Sequence, residues 1–129
     1  SPVQDRIVRL GWVDDQDRAD LLVGAAAFAY PSRYEGFGLP PLEAMAAGAP
    51  VVAAAAGAVP EVAGDAAVLV APGDAPALAE GLRSVLEDEG TAALLRERGR
   101  QRAKAFDWSR TVAGLVELYR DAAERRAPP

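Results

Sequence analysis

Short runs of hydrophobic residues divide this chain into segments of strand or helix length, separated by polar, glycine and proline positions. Four apolar runs predict strands at residues 6–13, 25–30, 51–54 and 66–70, and the run at residues 25–30 predicts a buried one. The segments between them predict helices at residues 16–24 and 40–48, and a turn with one helical turn at residues 57–64. Because short strands that alternate with helices form βαβ crossovers, we predict a parallel α/β sheet with helices on both faces.

The C-terminal part of the chain predicts three further helices, at residues 74–86, at residues 91–104 and after Asp107. Asp74 and Asp107 are suited to accept a hydrogen bond from a first-turn amide. Basic residues recur at every second position from residue 96 to residue 104, which predicts a solvated helix. In the last helix, an apolar stripe that should face the core comprises Trp108, Val112, Leu115 and Tyr119.

The composition excludes several classes of site. The 129 residues fit one domain, and they include no cysteine and no histidine, which removes disulfides, imidazole base catalysis and the usual zinc sites. The net charge of −5 argues against a nucleic-acid partner. No apolar stretch approaches the roughly 20 residues that span a bilayer, and the N-terminus does not resemble a signal peptide, so we expect a cytoplasmic protein.

The loop at residues 31–39 is the first candidate site, because ligands of open α/β sheets bind beyond the carboxyl ends of strands. Glycines in this loop allow several backbone amides to turn toward one point, as in anion-binding loops. The prolines at positions 40 and 41 have no N–H group. The free amide donors nearest the helix start are therefore those of Gly36, Phe37, Gly38 and Leu39.

Two carboxylates flank the glycines of this loop. Glu35 precedes the glycines and Glu43 lies one turn inside the predicted helix, so a ligand across the helix start could contact both. Carboxylates accept hydrogen bonds from vicinal hydroxyls, which favours a polyhydroxylated ligand. The residues alone also fit a second interpretation, in which Glu35 is an exposed loop residue and Glu43 only favours the positive end of its helix.

The segment PSRYEGFGLPPLEAMAAGAPVVA, followed by GAVPEV and APGD, resembles the donor-domain signature of retaining glycosyltransferases with the GT-B fold, the glycosyl transferases group 1 family. The resemblance covers nearly the whole chain, and Glu35 and Glu43 meet the family's E-x7-E pattern. It implies a partial Rossmann-like, nucleotide-sugar-binding domain at residues 1–127, with a tail at residues 128–129. The first βα units and the acceptor domain would lie outside this chain.

The resemblance also implies roles for individual residues. Glu35 would be the catalytic-site residue that approaches the donor hexose hydroxyls, and Glu43 would bind the ribose. The backbone of residues 36–39 would meet the sugar and the phosphates, and Trp12 and Val13 would border the base. The family often has two glycines before PEV, whereas this chain has Gly57 and Ala58, so the local backbone freedom should differ.

The reaction implied is hexosyl transfer from a nucleotide-diphosphate sugar, with retention at the anomeric carbon and without a metal or cofactor. The acceptor would be a glycan, a lipid or a small molecule. The N-terminal acceptor domain of the same parent chain would be the partner, and this chain alone should be inactive. The parent would be cytoplasmic or peripheral at the inner membrane face. The family's Arg and Lys for the leaving group have no counterpart here, since Arg33 does not match them.

Three other interpretations fit parts of the sequence. A non-catalytic nucleotide- or sugar-binding or interaction module would keep the fold but transfer nothing. Glycoside hydrolysis would need the two carboxylates to flank one bond, which their place on one loop and helix disfavours. Asp15 and Asp17 form a D-x-D pattern that could hold a metal, but a predicted helix start favours capping and dipole roles. We also expect an exposed sheet edge to favour self-association.

Overall fold

The computed structural model describes residues 3–126, so the predicted tail at residues 128–129 lies outside the described residues. After a 3-10 helix at Gln4–Arg6, three strands alternate with four helices, and two further helices follow within the described residues. The strands are β1 (Phe28–Tyr30), β2 (Val51–Ala54) and β3 (Ala67–Val70). The helices are α1 (Asp15–Gly24), α2 (Leu39–Ala47), α3 (Val59–Ala63), α4 (Ala75–Glu87), α5 (Glu89–Lys104) and α6 (Trp108–Arg126).

The three strands form one parallel sheet in the order β1-β2-β3, which confirms the predicted sheet. Val51 of β2 pairs with Phe28 on one side and with Ala67 on the other. All four residues of β2 are buried, as expected for the central strand of a parallel sheet whose two faces are both covered. The sheet therefore presents all its carboxyl ends at one edge.

Hydrophobic clusters cover both faces of the sheet. On one face, Val51 and Ala53 pack with Met45 of α2 and Val59 of α3. The opposite face packs Val52 against α4 and α5, through Val85, Ala92 and Leu95. The helices on both faces confirm the predicted layer arrangement.

Helices α2 and α5 approach each other closely at one point. Gly99 of α5 is buried, and a Cβ atom at this position would lie only 3.2 Å from Cγ of Met45. Met45 itself has no exposed surface. A glycine at position 99 therefore allows α5 to pack directly on the helix that follows the candidate loop.

Acidic N-caps fix the starts of α1, α4 and α6. The side chain of Asp74 accepts a hydrogen bond from the amide of Ala77 at 2.9 Å, and Asp107 accepts one from Arg110 at 2.9 Å, as predicted. Asp14 accepts one from the amide of Asp17 at 2.8 Å. The D-x-D segment thus forms the first turn of α1, which is the capping context that the sequence favoured.

The strand predicted at residues 6–13 is wrong. Apart from the end of the 3-10 helix, these residues have no regular structure, and the side chains of Ile7 and Val8 are 61% and 77% exposed. A strand needs a neighbour that accepts and donates backbone hydrogen bonds, and none of the strands among residues 3–126 pairs with this segment. Its apolar pattern alone does not form a strand.

The prediction that α6 packs its stripe against the core is also wrong. Trp108 is 82% exposed and Tyr119 is 70% exposed, and Val112 and Leu115 are exposed as well. The helix itself is present with the predicted periodicity, so the pattern identified an amphipathic helix but not the surface that covers it. No helix within residues 3–126 combines the length and apolar character that crossing a bilayer requires.

Candidate functional site at the carboxyl ends of the strands

A cleft of about 400 Å³ lies where β1 ends and the loop to α2 begins. It is lined by Arg18, Tyr30, Glu35, Phe37, Gly38, Leu39, Pro40 and Glu43. The structure therefore brings together both carboxylates of the E-x7-E pattern and three of the four predicted backbone positions. Gly36 belongs to the same loop but does not line the cleft.

Two predicted residues lie elsewhere. Trp12 is 88% exposed, and Val13 lines a separate depression of about 490 Å³ between the N-terminal segment and α1. Their contact with a nucleotide base stays a prediction. Arg33 borders a third depression of about 210 Å³, with Gly73 and Asp74, and does not line the cleft.

The N-terminus of α2 opens into the cleft because Gly38 adopts a left-handed conformation, with φ of 95°. Non-glycine residues adopt this conformation at a cost, so glycine is favoured here. The helix then begins at Leu39 with two prolines in its first turn. Because these prolines have no N–H group, the amides of the preceding loop and of Leu39, together with the helix dipole, favour a negative or electron-rich ligand group at this position.

Two hydroxyl groups hold the carboxylate of Glu35. The phenol of Tyr30 donates a short hydrogen bond to Oε1 of Glu35, and Oγ of Ser32 lies 2.8 Å from the same oxygen. The hydrogen bond from Tyr30, and then that from Ser32, lower the pKa of Glu35. Partial burial and the neighbouring carboxylate raise the pKa of Tyr30 to about 12. At neutral pH the pair is therefore an ionised carboxylate and a protonated phenol.

Glu43 of α2, which lines the same cleft, is near a cation. Nη2 of Arg18 lies 3.6 Å from Oε1 of Glu43 and 3.3 Å from Oδ1 of Asp15. Both members of the Arg18–Glu43 pair are about half exposed, so their attraction stabilises the fold by only about 0–1 kcal/mol. Neither group is committed to a structural role, and both remain accessible to a ligand.

The turn before α3 contacts the backbone of Glu35. Gly57 has φ of 52°, and a Cβ atom at this position would lie only 1.9 Å from the carbonyl oxygen of Glu35. The amide of Ala58 donates a hydrogen bond to that same oxygen at 3.4 Å. Ala58 has φ of −81°, a conformation open to any residue, which explains how alanine replaces the second glycine of the family pattern.

Contacts of Arg102, on α5, connect this helix with α3 and with the loop. Arg102 donates hydrogen bonds to the carbonyl oxygens of Val62 at 2.8 Å and Glu61 at 2.6 Å, near the end of α3. Its guanidinium lies 5.1 Å from the ring centroid of Phe106, which contacts Phe37 edge to face at 6.0 Å. The expectation that α5 is solvated is therefore wrong at Arg102, which connects α5 to α3.

Sequence reasoning missed four residues of this site. Tyr30 and Ser32 are within five positions of Glu35, so two hydroxyls at the end of a predicted strand were an available signal. Arg18, which lines the cleft, and Gly57, which contacts the backbone of Glu35, are distant from Glu35 in sequence and reach the site only through the fold. No local pattern could have assigned them.

Residues 2–102 match the family described as Glycosyl transferases group 1. The chain belongs to this family. It is 40% identical over 111 residues to the O-antigen chain mannosyltransferase B of Escherichia coli, a match that covers 86% of this chain and 29% of that protein. It is 38% identical over 125 residues to the glycogen synthase of Mycobacterium tuberculosis, which covers 93% of this chain and 30% of that protein.

The fold of this group 1 glycosyl transferase chain also matches a solved structure. It superposes on the sucrose-phosphate synthase of Thermosynechococcus elongatus with a TM-score of 0.84 and 35% identity, covering 96% of this chain and 32% of that one. The predicted family and the Rossmann-like α/β architecture of one half of a GT-B fold are thereby confirmed. The chain spans about a third of the length of these relatives.

Proposed function

We propose that this chain is the donor-binding portion of a glycosyltransferase that transfers a hexose, with retention, from a nucleotide-diphosphate sugar to an acceptor. The observation that carries the proposal is the cleft itself. Glu35 and Glu43 line one cleft, which also includes the N-terminus of α2. Two carboxylates beside a helix N-terminus match a ligand that has hydroxyls at both ends and a diphosphate in the middle.

Each part of the cleft then has a role. The ionised Glu35 accepts hydrogen bonds from hexose hydroxyls, and Glu43 accepts them from the ribose. The backbone at residues 36–39 meets the sugar and the diphosphate. Trp12 and Val13 lie outside the cleft, so a contact with the base requires that the nucleotide extends beyond it.

The leaving diphosphate must be stabilised by donors and cations if no metal takes part. This chain offers the N-terminus of α2 and, on α1, the guanidinium of Arg18. The acceptor, a glycan, lipid or small molecule, would be bound by an acceptor domain of the parent protein. We therefore expect the isolated chain to bind donor without transferring sugar. We propose a cytoplasmic parent, which could also be peripheral at the inner membrane face.

The proposal is tested by titrating this chain with UDP, GDP and ADP in a calorimeter, with and without a chelator. Glu43→Gln should weaken binding of the preferred nucleotide by roughly tenfold to a hundredfold, the range for a hydrogen bond to a charged group. Glu35→Gln should leave that affinity unchanged but reduce turnover in an enzyme that joins this chain to an acceptor domain. Glu117→Gln, on the exposed α6, is the matched control.

Two results would overturn this assignment. One is that the wild-type chain binds none of the three nucleotides at millimolar concentration. The other is that both site variants leave binding and turnover as in the Glu117→Gln control. Binding without transfer, in a protein that includes the acceptor domain, would instead support the non-catalytic binding module.

We also propose self-association through a sheet edge. Within residues 3–126, β1 and β3 each pair with β2 only, so each has one edge without a neighbouring strand. Sedimentation velocity over a range of concentrations would detect the association. A strictly monomeric profile at high concentration would contradict it.

A further inference from the structure

One oxygen of the Glu35 carboxylate carries all of its side-chain hydrogen bonds. Oε1 accepts from the phenol of Tyr30 and from Oγ of Ser32, whose single proton has the carbonyl oxygen of Tyr34, at 2.9 Å, as its other acceptor. Oε2 accepts no hydrogen bond from the described residues, and Glu35 lines the cleft. The two hydroxyls come from the last residue of β1 and from the position two residues later.

We propose that Tyr30 and Ser32 are positioning residues, which hold Glu35 by Oε1 so that Oε2 is free to accept a hydrogen bond from the donor sugar. The proposal deepens the proposed function and rests on it for the identity of the ligand. The hydrogen bonds themselves are a property of this chain and are testable without any ligand.

Tyr30 is a rigid donor because its ring is held by the sheet. It pairs with Ala53 in the parallel ladder and packs against the cluster that contains Met45. Its ring also stacks on that of Phe28, with centroids 6.0 Å apart and an angle of 18° between the planes. The hydroxyl therefore reaches the loop from a fixed point of the core, whereas Glu35 lies in a loop without regular structure.

Holding Glu35 in advance has a physical benefit. A free glutamate in a loop loses side-chain entropy when it orients toward a ligand, and a residue already fixed in its binding geometry loses less. The charged and titratable groups that share the cleft are Arg18 on α1, Tyr30 on β1 and Glu43 on α2. Of these, Tyr30 is the one that makes a side-chain hydrogen bond to Glu35.

The protonation states agree with this geometry. The hydrogen bond from Tyr30, followed by that from Ser32, lowers the pKa of Glu35 and keeps it ionised. An ionised carboxylate accepts hydrogen bonds and has no proton to donate. Glu35 therefore acts as an acceptor for hydroxyls and not as a general acid at neutral pH.

The first test is an NMR titration of this chain with 13C-labelled glutamate. The carboxyl resonance of Glu35 is assigned by its loss in Glu35→Gln, and its pKa is followed in each variant. Tyr30→Phe keeps the packed ring and removes only the hydroxyl, so the pKa of Glu35 should rise toward the ordinary value. Ser32→Ala should raise it less, and Ser32→Thr should restore the wild-type value because it keeps a hydroxyl.

Tyr34→Phe is the matched control, because Tyr34 is 84% exposed and lies one residue before Glu35. It should leave the pKa of Glu35 unchanged. The proposal is overturned if Tyr30→Phe, folded as judged by circular dichroism, leaves the pKa of Glu35 as in the wild type. It is equally overturned if Tyr34→Phe changes that pKa as much as Tyr30→Phe does.

The second test uses an enzyme that contains this chain and an acceptor domain. Tyr30→Phe should lower kcat roughly twofold to tenfold, the range for one net hydrogen bond, while the Kd for the preferred nucleoside diphosphate stays unchanged. An unchanged kcat would overturn the proposal. If the wild-type chain fails to bind UDP, GDP and ADP, the proposed function fails, and the NMR titration still decides how Glu35 is held.

Discussion

Replacing Gly57 with alanine would place a methyl group where the backbone of Glu35 now lies. The new Cβ atom would be 1.9 Å from the carbonyl oxygen of Glu35, whereas an ordinary contact starts near 3.4 Å, so the two segments must separate by about 1.5 Å. The substitution also forces alanine into φ of 52°, which costs about 1–2 kcal/mol. A shift of about 1 Å in a positioned group can reduce turnover on the order of a hundredfold.

The assay compares Gly57→Ala with Gly73→Ala. Gly73 also has a positive φ, of 82°, but a Cβ atom there would meet nothing within 4 Å, so this control isolates the conformational cost. Urea denaturation should show that Gly57→Ala loses clearly more unfolding free energy than Gly73→Ala. The NMR titration should show that only Gly57→Ala changes the pKa of Glu35. Equal losses of stability and an unchanged Glu35 pKa would refute the reasoning.

Three further outcomes are expected. Arg102→Met should destabilise the chain by about 1–3 kcal/mol in urea denaturation, because it leaves two carbonyl acceptors without this donor. The ion pairs of Arg83 are exposed, so Arg83→Met should change the stability by less than about 0.5 kcal/mol. Hydrogen bonds from Thr91 and Ser109 lower the pKa of Asp88 and Asp107, respectively. The contribution of these two carboxylates to the free energy of unfolding is therefore full above pH 3.8 and is lost as the pH falls through the lowered pKa values. In the variants Asp88→Asn and Asp107→Asn, acid unfolding should depend less on pH. Because the pKa of Tyr30 is raised, its contribution to the free energy of unfolding is full below pH 10 and is lost as the pH rises through about 12. Tyr30→Phe should abolish this loss of stability at alkaline pH.

The elements with a local signal were predictable from the sequence. The strand β2 is a short apolar run, α2 starts at a glycine and prolines, and α4 and α6 begin after capping aspartates. These features involve residues a few positions apart, so their physics is contained in the sequence pattern. The structure confirmed each of them.

The failures concern partners that are distant in the chain. An apolar run such as residues 6–13 becomes a strand only beside another strand, and the stripe of α6 becomes core only under a covering surface. The pattern records that a residue is apolar but not what it meets. The site divides in the same way, since the spacing of Glu35 and Glu43 placed them in one cleft, whereas Arg18 and Gly57 depended on the tertiary fold.

The close approach of Gly99 to Met45 has a consequence for how the cleft can adapt. With α5 packed directly on α2, the helix that carries Glu43 has little freedom to slide, so a ligand that needs more room in the cleft would have to displace the loop at residues 31–38. Met45 is the only methionine of the chain and is fully buried at that contact. The methyl group of Met45 therefore gives a single methionine signal in NMR spectra. Its chemical shift should not change on ligand binding, whereas the chemical shifts of the loop amides should.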